Sequence, residues 1–364
     1  MQVFVSEYIS GGALAESPLP DSMLREGRAM WEAIVSDLAR FGHRVTTTLD
    51  ARVSEPLAPN QIPPIEMETI STRQTEKLAF ERLACQADAT LVIAPETNGI
   101  LAERVGRIRE IGAKSLNCTP AAIELCGDKL RLSDLLMSKG IETIPTTAID
   151  FNDPLPSEWA GKSCVIKPRD GAGSWLTFAI RTLDANAWLK IGIEFHKACA
   201  ADRAILQPWI PGRAMSVGCI CHPSGEVDLL PVACQNQGAN FCYQGGTIPA
   251  DISSDRVIEI QQLVRSTCRW IPGLQGYVGI DLVVPDLMSY PPVLVEINPR
   301  LTTSYVGYRQ LCQQNLARYL LHAFDTNSRT RTDEESDRRL WAPGPIQFDS
   351  AGTPDAGKSS ATRD

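Results

Sequence analysis

The chain has 364 residues, 43% of them hydrophobic and 21% charged, which is typical of a globular protein of two or three domains. Its formal net charge of −8, and the absence of any apolar run near the ~18 residues that span a membrane, argue against nucleic acid or a membrane as its partner. Eleven cysteines without a C-x-x-C pattern favour a reduced, cytoplasmic protein without structural zinc, and Glu7 interrupts the apolar N-terminus too early for a signal peptide.

The first 118 residues alternate short apolar strands with amphipathic helices. Strands are predicted at "QVFVS", "HRVTTT", "ATLVIAP" and "KSLN", with helices from Asp21, over 74–87 and over 97–111. This alternation predicts an α/β fold with a parallel sheet. Ligands bind beyond the carboxyl ends of such strands, so the residues there are candidate substrate contacts, with a simple turn role as the alternative: Glu7, Ser10, Gly11, Gly12 and Glu96.

From residue 118 onward the pattern changes to helices followed mainly by strands. Helices are predicted over 119–126, 128–139, 184–200, 255–270 and 311–325. After "ETIPTTAI", strands are predicted on both sides of a glycine loop within 163–180, at "RAILQPW", three times within 214–235, and as a hairpin over 276–298. Residues 326–364 contain few apolar side chains and are predicted to form a disordered tail.

That tail contains "GTPDAGKS", residues 352–359, which spells the phosphate-loop pattern G-x-x-x-x-G-K-[ST]. A working phosphate loop lies between a strand and a helix whose N-terminal amides face the phosphates. Here "PIQFD" is a poor strand, and only five residues follow Ser359, too few for a helix. The match is therefore predicted to be a coincidence, and deletion of residues 340–364 is expected to leave nucleotide binding unchanged.

The hairpin over 276–298 carries the more informative polar residues. A register symmetric about its loop places Asp281 opposite Glu296 and Gly279 opposite Asn298. Two carboxylates and a carboxamide oxygen on one face suit Mg²⁺ bridging phosphates. The alternative is the solvent-facing polar side of an edge hairpin.

Two lysines precede positions where an anion could bind. Lys129 lies at the start of a predicted helix, and Lys167 ends the strand "CVIK". The loop "RDGAGSW" follows, and its glycines, Gly171 and Gly173, allow the backbone to approach an anion. A lysine beside such a loop supplies the point charge that phosphate oxygens need, although either lysine alone is equally expected on a surface.

Taken in order, "GDKL", "VIKPRDGAGS", "LQPWIPG", "GID" and "VEINPR" resemble the ATP-grasp superfamily. The resemblance implies a Rossmann-like pre-ATP-grasp domain over 1–118 and a two-lobed α+β ATP-grasp domain over 119–325. Within the latter it implies a lid lobe over about 140–210 and a metal-binding lobe over 211–325. It implies ATP and Mg²⁺ (or Mn²⁺) as cofactors.

The same resemblance assigns roles to residues. Lys129 and Lys167 would contact the ATP phosphates, and the loop with Gly171, Gly173 and Ser174 would close over them. Gln207, Trp209 and Ile210 would take the adenine edge. Asp281, Glu296 and Asn298 would hold the metal, and Arg300 would reach a phosphate or the developing acyl phosphate.

A narrower likeness lies in "VFVSEYISGG", "VIAPETNGIL", "LNCTPAAIELCGDKL", "YQGGTIP" and "EINPRLTTSYVG", which resemble the tyramine–glutamate ligases of methanofuran biosynthesis and their bacterial relatives. This resemblance implies a carboxylate–amine ligase with two small-molecule substrates, and a homodimer is an open alternative to a monomer. The rival interpretations are an ATP-grasp ligase for other amino acids or peptides, a phosphotransferase, or an ATP-binding protein without catalysis.

The chain departs from the wider superfamily at two positions. Ala214 replaces an acidic ribose contact, and Gly279 replaces an arginine that ligases of the D-alanine–D-alanine type use in catalysis. The catalytic role is therefore assigned to Arg300 or Arg213. Tyr243 and Gln244, in a predicted glycine-flanked loop, and Ser304, after the hairpin, are candidate acceptor contacts, with a turn role as the alternative.

Overall fold

The structure is a computed structural model that describes residues 1–53, 65–171, 173–238, 241–287, 289–324, 341–351 and 353. The N-terminal part contains a parallel sheet in the order β3-β2-β1-β4, which confirms the predicted α/β arrangement. Its elements are β1 (Gln2–Glu7), α1 (Asp21–Arg40), β2 (Arg44–Asp50), β3 (Ile65–Ile70), α2 (Arg73–Gln86), β4 (Ala89–Ile93) and α3 (Ile100–Glu110).

Two details of this sheet differ from the prediction. The strand β3 was not predicted, because "IEMETI" has charged residues on a half-exposed edge and lacks a continuous apolar run. "KSLN" contributes only an isolated bridge between Ser115 and Thr90. Tertiary pairing with β2 supplies the stability that the sequence of β3 lacks.

Two capped helices connect the N-terminal sheet to the remaining chain: α4 (Pro120–Gly127) and α5 (Lys129–Ser138). The side chain of Thr119 accepts a hydrogen bond from the Ala122 amide and caps α4. Asp128 caps α5 in the same way, through the Arg131 amide. The cap at Asp128 makes Lys129 the first residue of its helix, as predicted.

A small antiparallel sheet, here called the lid sheet, lies in the segment predicted as a lid lobe and has the order β5-β8-β6-β7. Its elements are β5 (Thr147–Ile149), β6 (Cys164–Pro168), β7 (Phe178–Ile180), α6 (Ala185–Lys197) and β8 (Ala204–Pro208). The helix packs on the sheet through Phe151, whose ring lies 4.5 Å from that of Trp188 and 5.0 Å from that of Phe195. These aromatic contacts give the lobe a hydrophobic core of its own.

The third sheet has seven strands among the described residues, all paired antiparallel, in the order β14-β13-β9-β11-β12-β15 with β10 beside β9. Its strands are β9 (Gly212–Cys221), β10 (Val227–Leu229), β11 (Ala233–Gln237), β12 (Tyr243–Ile248), β13 (Gly276–Pro285), β14 (Val293–Asn298) and β15 (Ile346–Asp349). Three helices accompany it: α7 (Ser254–Arg269), α8 (Ser304–Leu311) and α9 (Leu316–His322). The single helix predicted over 311–325 is thus wrong, because Asn315 caps a new helix at Leu316.

The predicted disorder of residues 326–364 is wrong for the segment around "PIQFD". Residues Ile346–Asp349 form β15, which pairs antiparallel with β12. Phe348 is 3% exposed, and its ring lies against Gly307 and Gly246. A lone apolar side chain is a weak strand signal, but a free sheet edge supplies both its hydrogen bonds and its pocket. Of "GTPDAGKS", all residues except Thr353 lie outside the described residues.

The N-terminal domain is joined to the C-terminal helices through Asp37 on α1. The Tyr305 hydroxyl donates to its carboxylate at 2.8 Å, Arg309 Nη2 donates at 2.6 Å, and Asn315 donates to its carbonyl oxygen at 2.6 Å. The side chain of Asp37 is only 8% exposed. This buried, fully paired carboxylate holds α1 against α8 and α9. None of the helices in the described part of the chain is long and apolar enough to cross a membrane.

Phe348→Ala tests whether the C-terminal strand is part of the folded core. Removing a buried ring leaves a cavity, so we expect the free energy of unfolding to fall by about 3 kcal/mol in chemical denaturation. Gln347→Ala, at an exposed position of the same strand, is the matched control and should change stability little. Equal stabilities of the two variants would contradict the packing of β15.

Candidate functional site

The hairpin of β13 and β14 carries the acidic residues of the site. Asp281 pairs with Glu296 and Gly279 with Asn298, which confirms the predicted register. A bulge follows, so that Leu282 pairs with Leu294. The edge-hairpin alternative is excluded for β13, because β9 pairs with its other side.

The two carboxylates are partly buried and repel each other. Burial, and then the charge of Glu296, raise the pKa of Asp281 well above its usual range, although its carboxylate accepts hydrogen bonds from Asn298 Nδ2 at 2.9 Å and Gln235 Nε2 at 2.8 Å. Burial also opposes ionisation of Glu296, but the charges of Lys129 and Lys167 outweigh it and lower its pKa. A cation beside both carboxylates would relieve their repulsion.

Two lysines from different elements face Glu296. Lys129 Nζ lies 3.6 Å from Glu296 Oε2, and Lys167 Nζ lies 3.9 Å from the same oxygen. Lys129 also donates to the Gly171 carbonyl at 2.6 Å, which ties the glycine loop to α5. Burial lowers the pKa of Lys167 to about 8. Both ammonium groups are nearly buried and would gain from anionic oxygens in the cavity.

This donor set fits a metal that is shared with phosphate. Among the described residues, no three His, Cys, Asp or Glu side chains converge to hold a metal alone. Asp281, Glu296 and Asn298 supply two carboxylates and a carboxamide, and Mg²⁺ commonly combines one or two carboxylates with phosphate oxygens. The buried lysines opposite them supply the positive charge that those phosphates require.

One cavity collects most residues that the sequence singled out. It lies between the lid sheet and the seven-stranded sheet, with the glycine loop at its rim. The candidate residues that line it are Lys129, Lys167, Gly171, Gly173, Ser174, Gln207, Trp209, Ile210, Tyr243, Asp281, Glu296, Asn298, Arg300 and Ser304. The predicted phosphate, adenine-edge and metal residues therefore meet in one place, although their roles stay predictions.

Seven candidates lie outside this cavity lining: Glu7, Ser10, Gly11, Gly12, Glu96, Arg213 and Gln244. Gly12 packs against the side chain of Ile70. Both the amide and the hydroxyl of Ser10 donate to the buried Glu7 carboxylate, and Gly11 packs directly on the Glu7 carbonyl, so these three residues shape the turn after β1. Gln244 is exposed and lies beside Gly238. Arg213 donates to the Asp251 carbonyl at 2.8 Å, which leaves Arg300 as the arginine of the cavity.

Tyr243 lines the cavity from a strand, so the predicted loop at this position is wrong. The glycines of "YQGGTIP" suggested a turn, but β12 pairs with β11 on one side and β15 on the other. Burial raises the pKa of the Tyr243 hydroxyl well above its usual range and keeps it a neutral donor.

Arg300 forms an ion pair with an acid from the N-terminal domain. Its Nε lies 3.0 Å from Glu96 Oε1, and both side chains are nearly buried. Glu96 follows β4, where it was considered a substrate contact; the structure pairs it with Arg300 instead. The guanidinium is thereby held at the cavity wall close to the acidic hairpin.

Several lining residues had no signal in the sequence. Glu26 enters the cavity from α1, Gln235 from β11, and Trp175 and Phe241 from loops. Glu26 has the spacing of an ordinary solvent-facing helix position, and nothing in its own helix indicates a distant cavity. Only the docking of α1 onto the C-terminal helices brings it there.

Two models of known protein families match the chain. An ATP-grasp domain matches residues 126–304, and a pre-ATP-grasp domain matches residues 43–123. A tyramine–L-glutamate ligase from Methanocaldococcus fervens is 24% identical over 303 residues, which cover 82% of this chain and 87% of that protein.

Solved structures agree on the fold. An ATP-grasp superfamily protein from Archaeoglobus fulgidus has a TM-score of 0.65 and 23% identity, and the match covers 88% of each chain. Biotin carboxylase from Campylobacter jejuni, solved as a β,γ-ATP complex, has a TM-score of 0.72 and 13% identity, covering 95% of this chain and 74% of that one. At these identities the likeness establishes the architecture of the chain.

Glu96→Gln tests the ion pair between Glu96 and Arg300. The substitution leaves a nearly buried guanidinium without its carboxylate, so we expect the free energy of unfolding to fall by about 2 kcal/mol. Chemical denaturation measures the change, with Glu103→Gln, an exposed acid on α3, as the control. A loss no larger than that of the control would rule out a structural role for the pair.

Proposed function

The chain is an ATP-grasp ligase of the ADP-forming kind that makes carbon–nitrogen bonds, and from that premise we propose its substrates: the γ-carboxyl group of glutamate and tyramine or a similar amine. The observation that carries the proposal is the convergence of Lys129, Lys167, the glycine loop and the paired carboxylates Asp281 and Glu296 in one cavity. Such a site handles phosphoryl transfer by position and charge, without a protein nucleophile.

In the first step, the substrate carboxylate attacks the γ-phosphoryl group of ATP and forms an acyl phosphate. Lys129 and Lys167 would hold the phosphate oxygens, and Asp281, Glu296 and Asn298 would hold Mg²⁺, which would supply charge neutralisation to the phosphates. Buried cations do this more effectively than exposed ones, because the low local dielectric strengthens their attraction for the developing charge.

Arg300 stabilises the charge that develops on the substrate carboxyl group as it becomes an acyl phosphate. Its guanidinium already lies at the cavity wall, in an ion pair with Glu96, so little rearrangement is needed when charge develops on the acyl phosphate. In the second step the amine attacks the acyl carbonyl and phosphate leaves.

The glycine loop separates this chemistry from water. Lys129 donates to Gly171 at one end of the loop, and Ser174 Oγ donates to the Phe241 carbonyl at 3.3 Å near the other. These bonds link the loop both to α5 and to the segment before β12. A covered acyl phosphate is protected from hydrolysis before the amine arrives.

Two features support an amino acid and an aromatic amine as the substrates. The relative from M. fervens is named for tyramine and L-glutamate, and it aligns with this chain over nearly its whole length. The cavity also has aromatic walls at Trp175, Phe241 and Tyr243, which suit a phenyl ring. A methanofuran-like pathway, a cytoplasmic location and a homodimer stay predictions.

The direct test is ADP release by the purified full chain against glutamate and a panel of amines, with the product identified by mass. We expect ADP and a γ-glutamyl amide only when glutamate, an aromatic amine and Mg²⁺ are all present, and no turnover after chelation of the metal. Amide formation with other amino acids instead would reassign the substrates. A stable phosphorylated product without amide would identify a phosphotransferase.

Glu296→Ala tests the metal role. Loss of one of the two paired carboxylates should reduce ADP release more than ~100-fold, while the circular dichroism spectrum stays unchanged. Asp286→Asn, an exposed acid just beyond β13 on the same hairpin, is the matched control and should retain full activity. Wild-type turnover in Glu296→Ala would disprove the metal assignment.

A further inference from the structure

Glu26 is a cavity carboxylate that the mechanism above does not use. It lies on α1 of the N-terminal domain, and its side chain lines the cavity together with Tyr243, Arg300 and Ser304. Three carboxylates are found among the described lining residues, and the other two, Asp281 and Glu296, belong to the acidic hairpin. Glu26 is therefore the carboxylate of this lining that the metal does not need.

Its surroundings leave room for a ligand. In the described part of the chain Glu26 has no ion-pair partner, and its one hydrogen bond comes from the Ser22 hydroxyl at 3.2 Å. A carboxylate has about four acceptor positions, so most remain available. A half-buried acid that lacks a cationic partner is unfavourable alone and is stabilised when a ligand cation arrives.

The charges around Glu26 come from several elements. Burial raises its pKa above the ordinary value, while Arg300 after β14 and Arg25 on its own helix oppose that rise. Tyr243 on β12 faces the same space and is neutral. A carboxyl group with a raised pKa accepts a proton more readily than an exposed glutamate does.

The position of Glu26 is held rigidly. Asp37 fastens the later half of α1 to α8 and α9, as described above. The next residue, Gly27, lies so close to the Glu7 carboxylate that a Cβ there would be 2.5 Å from Glu7 Oε1. The close approach at Gly27 and the clamp at Asp37 leave little freedom for the backbone that carries Glu26.

We propose that Glu26 binds the primary ammonium group of a substrate in this cavity. The inference rests on the proposed function, which supplies two such groups: the ammonium of the acceptor amine and the α-ammonium of the activated amino acid. The chemistry is the same for both, a charge-assisted N–H···O hydrogen bond to a carboxylate.

If the ligand is the acceptor amine, Glu26 also takes part in the reaction. One N–H proton of the ammonium passes to a Glu26 carboxylate oxygen and frees the nitrogen electron pair. That pair attacks the acyl carbonyl, so the C–N bond forms as the C–O bond to phosphate breaks and its electrons leave with phosphate. The second N–H proton leaves with the phosphate, which completes the neutral amide.

Glu26→Gln in the full chain provides the test, since it removes the charge and keeps the shape. Three reactions are compared: glutamate with tyramine, glutamate with hydroxylamine, and glutarate with hydroxylamine. Hydroxylamine is an uncharged nucleophile that traps an acyl phosphate as a hydroxamate, and glutarate lacks the α-ammonium. Glu32→Gln, on the same helix but paired with Arg28 outside the cavity lining, is the matched control.

We expect kcat/KM for amide formation to fall about 10- to 100-fold in Glu26→Gln, as for loss of a hydrogen bond to a charged group, while glutarate with hydroxylamine is unaffected. If the acceptor is bound, glutamate with hydroxylamine also matches wild type. If the α-ammonium is bound, glutamate with hydroxylamine falls in parallel. Either pattern supports the proposal and identifies the source of the ammonium.

The proposal is overturned if Glu26→Gln matches wild type in all three reactions, or if glutarate with hydroxylamine falls as far as the others. Calorimetric binding of tyramine and of glutamate to both proteins gives a readout that is independent of turnover. Unchanged affinity for both ligands would also overturn it. Failure of the wild type to form any hydroxamate would instead refute the proposed function.

Discussion

The like-charged pair Asp281 and Glu296 is the constraint on which the site depends. The adjacent strands β13 and β14 place the two carboxylates directly opposite each other, where their repulsion is unfavourable unless cations lie close. Lys129 at the start of α5 and Lys167 in strand β6 of the lid sheet supply that positive charge, because both ammonium groups lie beside Glu296. The balance exists only when three separate parts of the fold are assembled, because the acids and the two lysines come from different elements.

The N-terminal domain completes the cavity by a second set of charges. Glu96 meets Arg300, and Asp37 meets Arg309 and Tyr305, so each contact joins an acid of the parallel sheet region to a residue after the acidic hairpin. Because these acids are largely buried, their pairing is specific as well as attractive. The docking they enforce carries Glu26 into a cavity built mainly by the other lobes.

Much of the site could be predicted because its signals are local. Strand alternation and the loop length set the pairing of Asp281 with Glu296, and the cap at Asp128 set Lys129 at the start of α5. The strands β3, β12 and β15 were missed for one shared reason. Their segments contain glycines, charges or a lone aromatic residue, and partners distant in sequence stabilise them.

The sequence by itself determined the strand–helix alternation of the N-terminal domain, the pairing of Asp281 with Glu296, the lysines and the glycine loop, since each depends on residues close together in the chain. Tertiary structure alone decided that Glu7, Ser10 and Arg213 lie outside the cavity lining, that Glu96 pairs with Arg300, and that Glu26 lines the cavity. The physical reason is that sequence periodicity specifies which face of a helix or strand a side chain occupies. Burial and charge pairing between elements then decide which other residues that face contacts.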